Sequence, residues 1–380
     1  MKVVVLGAGL VGGPMAMDLA KDSSFEVTVA DLSEDSLGRL KERCPSLSTI
    51  VADLSSRENL VSVIQDQDLV LSAVPGFMGF KTLKTILETK RQVVDIAFCP
   101  ENVLELDKLA KVNGVTAIVD CGVAPGMSNL LTGYAESLMD TSETAMTYVG
   151  GLPKIREWPY EYKAVFSPAD VIEEYTRPAR FVENGNLVVR PALSDPELLE
   201  FPEVGTLEAF NSDGLRTMIH TIKAPTRKEK TLRYTGHIEK IAVLRESGFF
   251  ESTEVDINGT KVRPLDFTSK LLFDKWKLNP GDADITLMRV FVEGSRNGKR
   301  LRHRFDLVDH YDEKTKTHSM ARTTGYTATM AIRLLAHGLF TETGVIPPEV
   351  IGADKNCVDF MLAGLRERGV IYKESLEEIS

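Results

Sequence analysis

Gly7, Gly9 and Gly12 stand in the G-x-G-x-x-G spacing, directly after the apolar run MKVVVL and directly before a helical run, PMAMDLAKD. That context points to dinucleotide binding. Gly7 permits a tight turn out of a strand, Gly9 lets the backbone approach a pyrophosphate, and Gly12 lets helix and strand pack closely. Ala8, Leu10 and Val11 lie between them, so their N–H groups sit where a helix N-terminus favours phosphate. A second strand, FEVTVA, ends at Asp31, about twenty residues beyond the last glycine, as the fingerprint requires. A carboxylate there accepts ribose hydroxyls and repels a 2′-phosphate, so the expected cofactor is NAD rather than NADP. Asp53 and Leu54, after the third strand, are expected near the adenine, although Asp53 reads equally well as a cap for the following helix. Ala73, Val74 and Pro75 are expected beneath the ribose and nicotinamide, with Asp95 at the end of the fifth strand.

Residues 120–129, DCGVAPGMSN, leave a sixth strand where a nicotinamide ring would lie. Asp120 is the first candidate for proton transfer. No neighbour of Cys121 offers the base or cationic setting a thiolate needs, so it reads as a small residue against the nicotinamide. Ser128 and Asn129 open a helix whose N-terminus is a candidate anion site. Two charged segments, EEYTRPAR and LEAFNSDGLRTM, suit a zwitterion, because a carboxylate prefers an arginine fork and an ammonium prefers carboxylates. The candidate catalytic residues are thus Asp120, Cys121 and Arg216, with Arg216 expected on an α-carboxylate. The candidate substrate contacts are Gly122, Glu174, Tyr175, Arg177, Glu208, Arg216 and Thr217. His220 and His237 are further proton-transfer candidates, each weighed against an ordinary structural role.

Those residues need a frame to hold them. Apolar strands alternate with capped helices through the first third, including a Ser33 cap and a Ser55/Glu58 capping box, which predicts a parallel α/β sheet. Beyond about residue 148 the strands read as antiparallel, most clearly ITLMRVFVEG and KRLRHRFDLVDH about the turn Asn297-Gly298. Helical patterns return past Arg322. The expected fold is a Rossmann-type α/β domain with an inserted α+β substrate and dimerisation domain. Its expected parts are residues 1–122, 123–322 and 323–380, the last returning to the first sheet. A chain of 380 residues exceeds one comfortable core. Its net charge of -10 argues against a nucleic-acid surface. No apolar run is long enough for a bilayer. With a strand at the N-terminus no signal peptide is expected, and four scattered cysteines lead us to expect a reducing cytoplasm. No metal-like His or Cys spacing occurs.

GAGLVG, VDIAFCPEN, DCGVAPGMSNLL, YVGGLP, EEYTRPAR, FNSDGLRTM and GVIPPE together resemble the saccharopine dehydrogenase family, and within it the L-lysine 6-dehydrogenase branch. The resemblance implies a homodimer and NAD(P)-linked oxidation of a C–N bond on a lysine-derived amino acid. Its first implication is deamination of L-lysine at the 6-amino group to 2-aminoadipate 6-semialdehyde, which cyclises to piperideine-6-carboxylate. Oxidation of saccharopine is the alternative, with Arg177, Arg180, Arg233 and Arg322 available for its extra carboxylates. A non-catalytic NAD sensor is the competing class.

Overall fold

The computed structural model describes residues 1–166, 168–279 and 281–380. The chain divides into two compact units, residues 1–138 with 321–371, and residues 139–320 with 372–380.

In the first unit the strands are β1 (Lys2–Leu6), β2 (Glu26–Asp31), β3 (Ser48–Val51), β4 (Leu69–Ser72), β5 (Gln92–Asp95) and β6 (Thr116–Ile118). They are all parallel, in the order 3-2-1-4-5-6, and the strand Gly344–Ile346 adds beside β6. Val3, Val4, Val5 and Leu6 are fully buried, which explains their unbroken apolar run, since a parallel sheet is covered on both faces. The order reverses between β1 and β4, and the crevice outside the strand ends at such a reversal is where ligands bind. Helices α1 (Gly12–Leu19), α2 (Glu34–Arg43), α3 (Arg57–Ile64), α4 (Gly76–Glu88), α5 (Asp107–Asn113) and α6 (Met127–Ser137) complete the crossovers.

Local signals succeed at some ends and slip at others. Ser33 caps α2, accepting the Ser36 N–H at 3.2 Å. The cap of α3 is Ser56, not Ser55, because Ser55 is drawn into a turn by the Asp53 carboxylate, through its N–H at 2.9 Å and its hydroxyl at 2.6 Å. The compact units divide after residues 138, 320 and 371. Helix α6 therefore belongs to the first unit. Two glycines hold it there, since a Cβ on Gly133 would strike the Glu349 carbonyl and one on Gly352 the Leu130 carbonyl. Buried Asp18 on α1 anchors the returning C-terminal helices, accepting bonds from Thr329 at 2.7 Å, Arg333 at 2.9 Å and Arg368 at 2.9 Å.

The second unit holds β7 (Thr141–Pro153), helix α7 (Pro168–Thr176), β8 (Ala179–Glu183), β9 (Asn186–Arg190), β10 (Glu197–Phe201), β11 (Gly205–Asn211) and β12 (Thr226–Tyr234). A small hairpin, β13 (Val255–Ile257) with β14 (Thr260–Val262), precedes β15 (Asp284–Arg296) and β16 (Lys299–His310). Nine strands form one sheet, and the strand Tyr372–Glu378 pairs with β16 at its edge instead of staying with the C-terminal helices. The expected β15–β16 hairpin is present, with Arg296 opposite Lys299 and both Asn297 and Gly298 at positive φ, the backbone a two-residue type I′ turn needs. The all-antiparallel expectation is corrected at one pair: β7 and β12 run parallel. Parallel partners need a long crossover, and alternation within a strand carries no trace of it. The buried Asp284 carboxylate accepts the N–H groups of Ser319 at 2.7 Å and Met320 at 2.9 Å, closing the free end of the helix that starts there.

Candidate functional site

At the strand ends of the first unit, the three fingerprint glycines divide their labour. Gly7 has φ +109 and its missing Cβ would stand 2.9 Å from the Ala73 carbonyl oxygen. A Cβ on Gly12 would collide with the Gly7 carbonyl. Those two glycines serve the fold. A Cβ on Gly9 meets nothing within 4 Å, so Gly9 alone faces open space. Val11 caps α1 without a side-chain bond to it, which leaves the first N–H groups for a ligand. Asp31 is held by two backbone donors, Ala8 N–H and Ser33 N–H, each at 2.7 Å. The residues present fit a dinucleotide. Asp53 lies two residues past β3 and spends its carboxylate on Ser55, which holds it below the usual carboxylate range through the Ser55 hydroxyl and N–H. Leu54 is buried in the core with Val74, so both shape the crevice from beneath; Leu10 is exposed at its mouth.

Asp95, Asp120 and Cys121 are buried together at the ends of β5 and β6, and the Cys121 N–H donates to the Asp95 carbonyl at 3.0 Å. Burial, then the Asp95 and Asp120 charges, push the Cys121 thiol far up, so it stays protonated. It is no thiolate nucleophile. Gly122 and Gly126 close the loop, the Gly122 N–H donating to the Pro125 carbonyl at 3.0 Å. The anion site expected at the start of α6 is already filled. Asn129 turns its side-chain oxygen to the Gly126 N–H at 3.1 Å and donates to the Glu349 carboxylate at 3.0 Å, all of it buried. Ser72 opens the segment expected beneath the ribose and nicotinamide, whereas Thr324 escaped sequence reasoning. The Ser72 and Thr324 hydroxyls are buried with no partner among the described residues, and Thr324 packs 3.3 Å from where a Gly122 Cβ would be. A small hydroxyl in a helix sends no sequence signal of its own.

In the second unit the substrate candidates separate into two groups. Arg233, near the end of β12, donates through Nη2 to Glu174 at 2.6 Å and through Nε to the Tyr175 hydroxyl at 3.0 Å. Tyr175 bonds His237 Nε2 at 3.0 Å, and His237 Nδ1 bonds the Tyr160 carbonyl at 2.8 Å. Since a carbonyl only accepts, Nδ1 carries the proton and Nε2 accepts from Tyr175. Burial and then Arg233 lower His237 to about 3. It is neutral near pH 7 and makes a poor proton shuttle there. Burial pushes Tyr175 up to about 12 despite Arg233. Glu208 lies opposite Arg233 in the β11–β12 register and accepts the Gly236 N–H at 3.3 Å. Tyr162 and Trp276, unmarked in the sequence reading, wall this cluster.

Arg216 and Thr217 sit elsewhere, on a turn beyond Asn211, which is level with Lys230 and so runs toward the start of β12. Arg216 is buried with φ +51, and Arg227 holds its turn by donating to the carbonyls of Met218 at 2.9 Å and Ala224 at 2.7 Å. The Thr217 hydroxyl is buried without a partner among the described residues. Arg177 pairs with Glu173 one turn back on α7 at 2.8 Å, and Arg180 forks onto Asp213 at 2.9 and 2.8 Å. His220 is exposed on a one-turn helix. No group of His, Cys, Asp or Glu able to hold a metal occurs among the described residues, and no helix there is long and apolar enough to cross a membrane.

Comparison with known proteins covers both units. Residues 3–118 match the model of the saccharopine dehydrogenase NADP binding domain, and residues 122–370 that of the saccharopine dehydrogenase C-terminal domain. The mitochondrial alpha-aminoadipic semialdehyde synthase of Mus musculus is 29% identical over 251 residues, 62% of this chain and 27% of that protein. The chain spans between about a fifth and a half of the length of the first such relatives it matches. Saccharopine dehydrogenase [NADP(+), L-glutamate-forming] of Pyricularia oryzae is 24% identical over 98% of both chains. The apo saccharopine dehydrogenase (L-Glu forming) of Saccharomyces cerevisiae superposes with a TM-score of 0.81 at 19% identity, covering 99% of each chain, a likeness of fold.

Proposed function

Because this chain belongs to the saccharopine dehydrogenase family, we propose that it is an NAD-dependent dehydrogenase that oxidises the C–N bond at the 6-amino group of L-lysine. The observation that supports this most is the pair of buried carboxylates, Asp95 and Asp120, at the carboxyl ends of a dinucleotide-type sheet, beside a thiol that stays protonated. An amine gives up hydride only when its nitrogen lone pair is free to stabilise the cation left behind, and the lysine ammonium is protonated at pH 7. Asp120 takes that proton. The bound nicotinamide supplies the hydride acceptor. Water adds to the resulting C=N bond, ammonia leaves, and the aldehyde closes on the α-amine. Cys121 takes no covalent part. Among the described residues the second unit buries two guanidinium groups, Arg216 and Arg233, as candidates for the α-carboxylate.

NAD is proposed over NADP although the matched domain model and the fungal relative are named for NADP. Asp31 is held in place by two N–H groups, Glu34 and Asp35 follow it, and residues 32–38 contain no lysine or arginine to meet a 2′-phosphate. A second reading, oxidation of saccharopine itself, is supported by the fungal relative of matching length. Absorbance of the reduced nicotinamide, followed with NAD or NADP and a panel of lysine, saccharopine and ornithine, separates these. NAD-linked lysine turnover with ammonia release is the expected result. Saccharopine-only turnover selects the second reading, and silence across the panel removes both.

A further inference from the structure

We propose that Arg233, stacked against Tyr162 and Tyr175, is the carboxylate anchor for the amino-acid substrate, and that Glu174 stands in the substrate carboxylate's place. This rests on the reading that the substrate is an amino acid.

The cluster has more donors than acceptors. A guanidinium offers five N–H groups, and Arg233 spends one on Glu174, one on Tyr175 and one on the Leu232 carbonyl at 3.0 Å. The Trp276 indole N–H is buried with no acceptor among the described residues. Trp276 lies within 5.7 Å of the Tyr162 ring and 6.0 Å of the Tyr175 ring, centroid to centroid. Tyr175 already both accepts and donates, and His237 is neutral. One full positive charge, only 3% exposed, is thus answered, among the described residues, by a single carboxylate whose side chain is 35% exposed. Buried unspent donors call for an anionic acceptor. The Tyr162 ring covers the guanidinium face at 4.3 Å, which leaves the edge of the fork for bidentate recognition.

A cavity shares two tyrosines with this cluster. Tyr160 and Tyr162 line this space of about 440 Å³, walled further by Trp158, Lys163, Asp274 and Asp282. Ligand sites commonly fall in that size range. Of its carboxylates Asp282 pairs with Lys163 at 3.2 Å, and Asp274 also lines the cavity. Glu174, on the rim of α7, can turn to solvent when a substrate carboxylate arrives. Arg216 is left with a different task, because its turn is held separately by Arg227.

Two readouts test this on the full chain. Binding of 6-aminohexanoate without NAD, followed calorimetrically, reports the carboxylate site without turnover. The E174Q variant removes the competing charge, so it binds this probe roughly 3- to 10-fold tighter than wild type, whereas R233Q binds it roughly 10- to 100-fold weaker. W276F weakens it severalfold and R216A leaves it within about threefold. Should R233Q fail to fold, E174Q and W276F decide. With NAD present, the KM for L-lysine follows the same pattern, while the KM for 1,5-diaminopentane, which lacks the carboxylate, ignores E174Q. Unchanged or weakened probe binding in E174Q, or loss of binding in R216A instead of R233Q, overturns the proposal. Probe binding with this pattern but no oxidation of any amine keeps the site and removes the proposed reaction; lysine oxidation indifferent to E174Q and R233Q does the reverse.

Discussion

Cys121 sits among buried carboxylates, and burial with the Asp95 and Asp120 charges pushes its thiol well above the ordinary value. Cys121→Ala is therefore expected to retain kcat within a few-fold; a loss of a hundredfold or more would restore a covalent role. Asp31 belongs to cofactor choice. Asp31→Ser should lower kcat/KM for NAD by roughly tenfold or more while that for NADP rises, because a charged hydrogen bond to the ribose is lost and a repulsion removed; an unchanged NAD to NADP ratio rejects the assignment. His237 carries a pH signature. Its folded pKa of about 3 lies below the ordinary 6.5, so between those values the unfolded chain binds the extra proton. Stability from this group is complete above about pH 6.5 and falls as pH drops toward 3, by at most about 1.4 kcal/mol per unit. His237→Gln should flatten that part of the denaturation profile; an identical slope would mean the histidine is not buried neutral.

Among the elements, the β1–α1 turn separates two uses of glycine that share one motif. Gly12→Ala drives a methyl into the Gly7 carbonyl and is expected to cost about 1–3 kcal/mol of stability. Gly9→Ala meets no protein atom, so thermal stability should hold while the KM for the dinucleotide rises. Thermal melts beside cofactor titrations check both; a destabilised Gly9 variant with normal cofactor affinity would reverse the assignment. The turn, its helix and the Ser33 cap were legible because each depends on neighbours in sequence. The Ser55 capping box was not, since Asp53 competes for the same serine through a turn that pattern alone ranks no lower. The parallel β7–β12 pair was hidden for another reason: its partners lie about eighty residues apart, and only their crossover sets their direction.

At the scale of the whole chain, Asp18 ties the N-terminal helix to residues more than three hundred positions later, with Arg333 nearly as buried as itself. Asp18→Ala leaves that buried guanidinium only the Asp22 carboxylate, at 3.7 Å, and should cost about 3 kcal/mol, read as a lower midpoint in urea; a loss below 1 kcal/mol would show the cluster to be peripheral. No local pattern announced this contact, and the same is true of the last strand, which joins the second unit's sheet while the helices before it stay with the first. What the chain's order of residues determined by itself was the turn after β1, the acid that ends β2, the parallel sheet and the loop at residues 120–126. Each is set by spacing along a strand or a single turn of helix, where steric limits act over a few residues. Tertiary structure decided which charges meet. It drew Glu174, Tyr175 and Glu208 around Arg233 and held Arg216 on a turn of its own, because a buried guanidinium is satisfied by whichever partners the packing brings within 3 Å, however far apart they lie in the chain.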